Sequence, residues 1–345
     1  MRRTLSTALV TGGAGFIGSH TCVELLEHGF EVIVADDYSN SSPEVFTRTQ
    51  KVAGRFLGAV YRIDLRDRRA LSAVFERHPV DVVVHFAAKK EIGESVRNPV
   101  TYYDVNVGGT LALLSAMEEH GVRRLVFSSS CSIYGEAERM PLTEADPARP
   151  TNPYAASKWT CEQILADVCR RSEDWSVLSL RYFNPAGAHP SGLLGEAPRG
   201  APGNVMPYMA QVAAGRLEQL EVFGGDYATS DGTGIRDYIH VMDVAEAHRL
   251  ALEHLADRTG LRVFNLGLGS GTSVLELVAA FRRASGRPIP YRIVPRRPGD
   301  VTALVADPTA VARAWGWRAT RDVAAMCRDA WRFTRLNPAG YAVGR

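Results

Sequence analysis

The segment "TALVTGGAGFIGSH", residues 7–20, constrains the fold more than any other stretch of this chain. A short β-type run leads straight into Gly12, Gly13, Gly15 and Gly18, and a helical pattern through Phe16 and Ile17 begins at once. Glycines at such a turn let the backbone approach a diphosphate, whose charge then meets the exposed N–H groups of the helix start. Alone, the pattern also fits a tight strand-to-helix turn without a ligand. The next β-run, "EVIVAD", ends in Asp36, about 20 residues on, where a carboxylate can accept ribose hydroxyls. Together the two features predict a dinucleotide site. Asp36 and Asp37 place negative charge where a 2′-phosphate would lie, which favours NAD over NADP. Asp64 ends the third β-run and is either an adenine contact or a cap for the following helix.

The rest of the first half repeats this rhythm. Strands are predicted at 7–11, 31–35, 59–63, 82–87, 124–129 and 177–182, with helices at 16–28, 67–77, 100–119 and 154–170. Strands apolar on consecutive residues suit a parallel sheet covered on both faces, hence an α/β, Rossmann-type doubly wound fold. From residue 184 the chain becomes rich in Gly and Pro through "NPAGAHPSGLLGEAPRGAPGN". A helix at 205–215, a short strand at 220–223, a helix at 241–255 and a strand at 262–267 should follow, with two helices after 272. The expected division is an NAD-binding domain, 1–184, to which about 236–270 returns, and a smaller mixed α/β substrate domain, 185–345.

Bulk properties mainly exclude. With 40 basic and 38 acidic side chains the net charge is +2, so no general nucleic-acid or membrane field exists and anions must be held locally. The five cysteines, at 22, 131, 161, 169 and 327, form no CxxC pair and read as reduced thiols of a cytoplasmic protein. The nine histidines show no metal-ligand spacing, and His85 falls within a buried strand. "MRRTLSTALVTGG" lacks the apolar core of a secretory leader, and no apolar run is long enough to span a membrane.

The chemistry is predicted at "TNPYAASKW", residues 151–159. Asn152-Pro153 starts a helix, and Tyr154 and Lys158, four apart, share one face. A nearby ammonium favours phenolate over phenol, so Lys158 is expected to bring Tyr154 towards working pH as a general base. Ser130, at the end of the fifth strand in "FSSSCSIYG", can orient a substrate hydroxyl or relay its proton. The spacing alone also fits a solvated helix face; the preceding dinucleotide motif is what makes it specific. Cys131 is expected to be packed rather than nucleophilic.

These residues resemble the extended short-chain dehydrogenase/reductase superfamily and, within it, the UDP-glucose 4-epimerases. "TGGAGFIGSHT", "HFAAKKEIGESV", "FSSSCSIYG", "PYAASK", "LRYFNPAGAHPSG", "DGTGIRDYIHVMD" and "PRRPGD" carry the resemblance over essentially the whole chain. It implies reversible inversion at C4 of a UDP-hexose, UDP-glucose to UDP-galactose. Tyr154 would take the 4-OH proton as hydride passes to a non-dissociating NAD, the 4-keto sugar would turn over, and both would return. It further implies NAD contacts at Gly12 to Gly18, Asp36, Asp37, Asn40, Ser41, Asp64, Leu65, Phe86, Ala87, Ala88, Lys90, Ser130, Tyr154, Lys158 and Phe183. Substrate contacts would fall on Lys90, Ser130, Ser132, Tyr154, Asn184, Asn204, Phe223, Arg236, Arg297, Asp300 and Leu304, with two arginines suited to a diphosphate. A homodimer through the helices near 100–119 and 154–170 is implied as well.

Three positions depart from better-known members: Ala88 replaces a usual glycine, Val105 an asparagine beside the retained Asn106, and Leu304 a Tyr or a small residue that sets the sugar size. UDP-GlcNAc/UDP-GalNAc and UDP-glucuronate therefore stand as alternative substrates. An NDP-sugar 4,6-dehydratase is disfavoured because "SSSCSIYG" carries no carboxylate. A non-catalytic NAD-binding protein would be expected to lose Ser130, Tyr154 or Lys158.

Overall fold

A computed structural model describes residues 6–198, 200, 202–255 and 258–341. The arginines at 2 and 3 lie outside them. Seven parallel strands form the central sheet. Strands β1 (Thr7–Thr11), β2 (Glu31–Asp36), β3 (Ala59–Arg62), β4 (Val82–His85), β5 (Arg124–Ser130) and β6 (Ser176–Tyr182) are joined by the later strand Gly260–Leu266. Across the sheet the order is Gly260–Leu266, β6, β5, β4, β1, β2, β3. Chain order reverses between β1 and β4, which opens a crevice at their C-terminal ends.

Period-two alternation explains why the strands are apolar throughout. Ala8, Val10, Val32, Val34, Val82 and Val84 pack against Cys22, Leu25 and Leu26 of the Phe16–Glu27 helix and Val244, Ala247 and Ala251 of the Val241–Leu255 helix. Leu9, Ile33, Val83, Leu125 and Phe127 face the other way, onto Leu71 and Val74, Leu113 and Met117, and Cys161 and Leu165. Both faces are covered.

The 100–119 segment is not one regular helix. Pro99–Tyr102 and Gly109–Glu119 are α-helical, and Tyr103–Gly108 between them is a π-turn. The wider turn presents Asn106 inward. Its Oδ1 accepts from the Lys89 N–H at 2.8 Å, and its Nδ2 donates to the Lys89 carbonyl and to Ser157 Oγ. Such widened turns concentrate at functional sites. The C-terminal part also differs from expectation: among the described residues three helices follow residue 272, at Val274–Ser285, Thr309–Trp315 and Val323–Leu336.

A second core joins the Val205–Ala213, Val274–Ser285 and Val323–Leu336 helices to the strand Leu220–Phe223. Two small sheets connect it to the strand ends. Tyr238–His240 pairs with Asn184–Ala186. Ile235–Arg236 lies between Thr272–Ser273 and Ala303–Leu304, setting Leu304 in register with Arg236.

Candidate active site

One cleft of about 740 Å³ runs over the C-terminal ends of the sheet strands. Of the sequence-predicted positions, only Gly13 does not line it. A methyl on Gly13 would lie 2.7 Å from Val34 Cγ1, so this glycine serves helix–strand packing. The others shape a cradle. Gly12 has φ +71°, and a side chain there would lie 2.6 Å from the Ala87 amide after β4. One on Gly18 would fall 2.3 Å from the Gly12 carbonyl oxygen. Gly15, the N-cap of Phe16–Glu27, offers no side-chain cap, so the protein leaves that helix start open to an anion.

Asp36 marks the far side of this cradle. Its Oδ2 accepts from the Ala14 N–H at 2.9 Å, and its Oδ1 from the Tyr38 N–H at 2.8 Å and Ser41 Oγ at 3.0 Å. Tyr38 reaches it from a left-handed turn, φ 58°. With Oδ1 already accepting twice, one more donor fits best at Oδ2, not a pair shared between both oxygens. Burial raises the Asp36 pKa against these hydrogen bonds. Asp37, Asn40, Asp64, Leu65, Phe86, Ala87 and Ala88 line the same half. Asp64 pairs with Arg66, and Asp67 is the residue that caps the Arg68–Arg77 helix, through Ala70 N–H. The capping alternative for Asp64 is thereby removed.

Tyr154 and Lys158 stand on one face of the Pro153–Arg171 helix. Its start follows from local chemistry: Asn152 Oδ1 accepts from the Ala155 N–H at 2.9 Å, and Pro153 occupies the first turn. Lys158 is buried, its Nζ donating to the Ser128 carbonyl at 2.8 Å and lying 5.0 Å over the Phe127 ring. Burial lowers its pKa to about 8. Ser130 Oγ lies 2.8 Å from Ser132 Oγ, and Ser130 acts to lower the pKa of the Tyr154 phenol.

One expectation is corrected here. Tyr154 is not depressed: burial raises its pKa, outweighing the lowering effects of Ser130 and Lys90, and Lys158 is not among the main contributions. Desolvation is stronger than an ammonium already committed to a backbone carbonyl. His85 is a core residue as expected, held by Thr11 and Thr110, with its pKa lowered by burial to about 3. Cys131 is buried, and burial pushes its thiol up to about 12.

The other half of the cleft carries a different chemistry. Arg297 stacks 4.3 Å over the Phe223 ring and pairs with Asp300 at 3.4 Å. Arg236 also lines it, donating to the Ile235 carbonyl. Asn184 Oδ1 is buried with no hydrogen-bond partner, an acceptor that a ligand hydroxyl would satisfy. Phe183 and Leu304 pack with Cys131, Ile133, Tyr134 and Val301 to form the floor. Val105 borders the cleft, whereas Asn106 acts behind it on the Lys89 backbone.

Sequence reasoning missed two groups. Glu162, one turn beyond Lys158, is buried and bound to Arg181, Ser129 and Ser179. Glu196 reaches over the cleft to Lys90 and Asn204. Being the one acidic residue in its Gly- and Pro-rich loop was its available signal. Among the described residues no group of three or more His, Cys, Asp or Glu is placed to hold a metal, and no helix is long and apolar enough to cross a membrane.

A dinucleotide cradle, a Tyr–Lys–Ser set and an arginine pair thus share one cleft. Residues 8–267 match the NAD dependent epimerase/dehydratase family. The chain belongs to this family. Within the epimerase/dehydratase family its relatives are specific. The UDP-glucose 4-epimerase of Bacillus subtilis (strain 168) is 53% identical over 333 residues, covering 96% of this chain and 98% of that one. That of Mus musculus is 48% identical over 344 residues, 98% of this chain and 99% of the other. The UDP-glucose 4-epimerase of Bifidobacterium longum, solved in complex with NAD+ and UDP, matches with a TM-score of 0.95 and 47% identity over 97% of this chain and all of that one. The UDP-Glc/GlcNAc 4-epimerase of Campylobacter jejuni matches at 0.82, with 35% identity over 96% of this chain and 99% of that one.

Proposed function

We infer that this chain is an NAD-dependent UDP-glucose 4-epimerase, interconverting UDP-glucose and UDP-galactose through a transient 4-keto sugar. The observation that carries the reading is the single cleft joining the glycine cradle, Tyr154 and the Arg236–Arg297 pair. Full-length similarity to UDP-glucose 4-epimerases supports it.

Residues 1–184, with about 236–270, would hold NAD, and 185–345 mainly the UDP-sugar. Gly12 to Gly18 would receive the pyrophosphate and Asp36 an adenosine ribose hydroxyl. NAD, when bound, supplies a reversible hydride acceptor and a positive charge that favours phenolate at Tyr154. Tyr154 takes the proton of the sugar 4-hydroxyl and returns it once the keto sugar has turned over. Ser130 hydrogen-bonds the phenol and orients that hydroxyl, while Lys158 keeps a cationic donor within the site. Arg236 and Arg297 grip the diphosphate, Phe223 lies along the uracil and Asp300 accepts its ribose hydroxyls. Firm binding then falls on UDP, leaving the hexose free to rotate.

Leu304 is the residue that sets sugar size. Only 6% exposed, it packs in the apolar floor and borders the cleft where the hexose would lie. In a substrate panel we expect UDP-glucose and UDP-galactose to be turned over well, and UDP-GlcNAc/UDP-GalNAc with kcat/KM lower by about ten-fold or more. No turnover of the first pair would overturn the function; equal kcat/KM for both would remove Leu304 as the gate.

We take the protein to be cytoplasmic and homodimeric. Val96, Val100, Tyr103 and Leu111 are exposed along the segment from Ile92 to Glu119, and Val100 is 80% accessible. An apolar stripe on adjoining helices supports a dimer through this face. Light scattering at micromolar concentration should give twice the chain mass; a single-chain mass would refute it.

A further inference from the structure

Glu196 is held where no sequence motif placed it. It belongs to the loop between the strand Asn184–Ala186 and the helix Val205–Ala213. Its Oε1 accepts from Lys90 Nζ and from Asn204 Nδ2, both at 2.8 Å, and its side chain is only 11% accessible. The backbone presenting it is anchored to the C-terminal segment. The preceding Gly195 hydrogen-bonds Tyr341 Oη through its N–H and its carbonyl, and a methyl on Gly195 would lie 2.4 Å from the Phe333 ring.

Charge balance around Lys90 gives this arrangement a consequence. Glu196 is in direct contact with the Lys90 ammonium, and the charges of Glu91 and Tyr154 act on it as well. Glu91 is close by the same loop, since a methyl on Gly203 would meet its carboxylate. Lys90 is therefore already neutralised, and a second anion arriving there would face like charge at close range. A neutral hexose meets no such penalty.

We propose that Glu196 is a specificity-determining residue that excludes anionic sugars, by neutralising Lys90 and holding a fixed carboxylate at the hexose end of the cleft. The proposal rests on the UDP-hexose reading above. It assigns to one side chain the rejection of UDP-glucuronate that sequence motifs left open. Glu196 also joins Lys90, which follows β4, to Asn204, which starts the next helix, and so ties the cofactor side of the cleft to the substrate side.

The test compares the NAD-loaded wild type with Glu196→Gln and Glu196→Asp. Glutamine keeps an oxygen acceptor for Lys90 and Asn204 but removes the charge; aspartate keeps the charge. We expect Glu196→Gln to raise the ratio of kcat/KM for UDP-glucuronate to that for UDP-glucose by about ten-fold or more, mainly through KM. Glu196→Asp should keep the wild-type preference. An unchanged ratio in Glu196→Gln, or an equal change in both variants, overturns the charge filter. Calorimetric Kd values for the same two nucleotides separate the two levels of inference. If the wild type fails to turn over UDP-glucose, the function is wrong, yet the Kd ratio still decides the role of Glu196.

Discussion

Replacing Tyr154 by Phe is expected to lower kcat for UDP-glucose by about 10²–10⁴-fold, the usual contribution of a positioned general base. The change removes one hydroxyl and leaves the ring, its helix and its packing. That hydroxyl is the group on which Ser130 acts. NAD content should stay at the wild-type level, because the cradle residues Gly12, Gly15, Gly18 and Asp36 lie elsewhere in the cleft. Initial rates, the absorbance of bound cofactor and the thermal midpoint check the three parts separately. Turnover within a few-fold of wild type would take the base role away from Tyr154. The raised pKa of the phenol sharpens this prediction. In the free protein burial holds Tyr154 as the neutral phenol, and the positive charge of bound NAD would favour its ionisation. Phenolate should therefore form in the holoprotein at lower pH than in the cofactor-stripped protein. Ultraviolet difference titration reads this directly, and identical titrations would contradict it.

The second large effect is on stability. Glu162→Ala is expected to cost about 3–5 kcal/mol, read as a fall in the urea midpoint, because it leaves a buried guanidinium without its carboxylate. Glu162 and Arg181 are 2% and 5% accessible and meet at 2.6 Å. Glu162 also accepts from Ser129 at 2.5 Å and Ser179 at 2.9 Å, while Arg181 donates to Tyr134 Oη, which in turn donates to Asn265. This network pins the Tyr154–Lys158 helix to β5, β6 and the Gly260–Leu266 strand one residue from Ser130. Removing both charges in Glu162→Leu/Arg181→Met should recover part of the loss, since an apolar replacement strands no lone ion. A double variant as unstable as Glu162→Ala would mean that the serine and tyrosine hydrogen bonds, not the ion pair, carry the stability.

Much of the dinucleotide half is legible in the linear chain because its physics is local. Gly12 needs a positive φ and Gly18 needs a missing Cβ within a few residues of each other, and Asp36 lies at the end of the very next strand. The helix start at Asn152-Pro153 is equally local, and so is the i, i+4 pairing of Tyr154 with Lys158. Where local rules compete, spacing alone did not choose between them. The capping role open to Asp64 went to Asp67, and only the backbone turn decided it. The 100–119 segment has helical periodicity, but the demand of the Lys89 backbone for Asn106 widened one turn of it.

By itself, the sequence determined the parallel sheet, the glycine turn after β1 and the placing of Tyr154 and Lys158 on one helix face, because glycine spacing, β-runs and helical periodicity act over a few residues. Only the tertiary structure decided their electrostatics and their neighbours. Whether burial or Lys158 governs the Tyr154 phenol depends on which carbonyl the lysine meets across the sheet. Whether Lys90 is a free cation depends on Glu196, 106 residues away. Desolvation and long-range ion pairing have no linear signature, since both are set by what folding brings together.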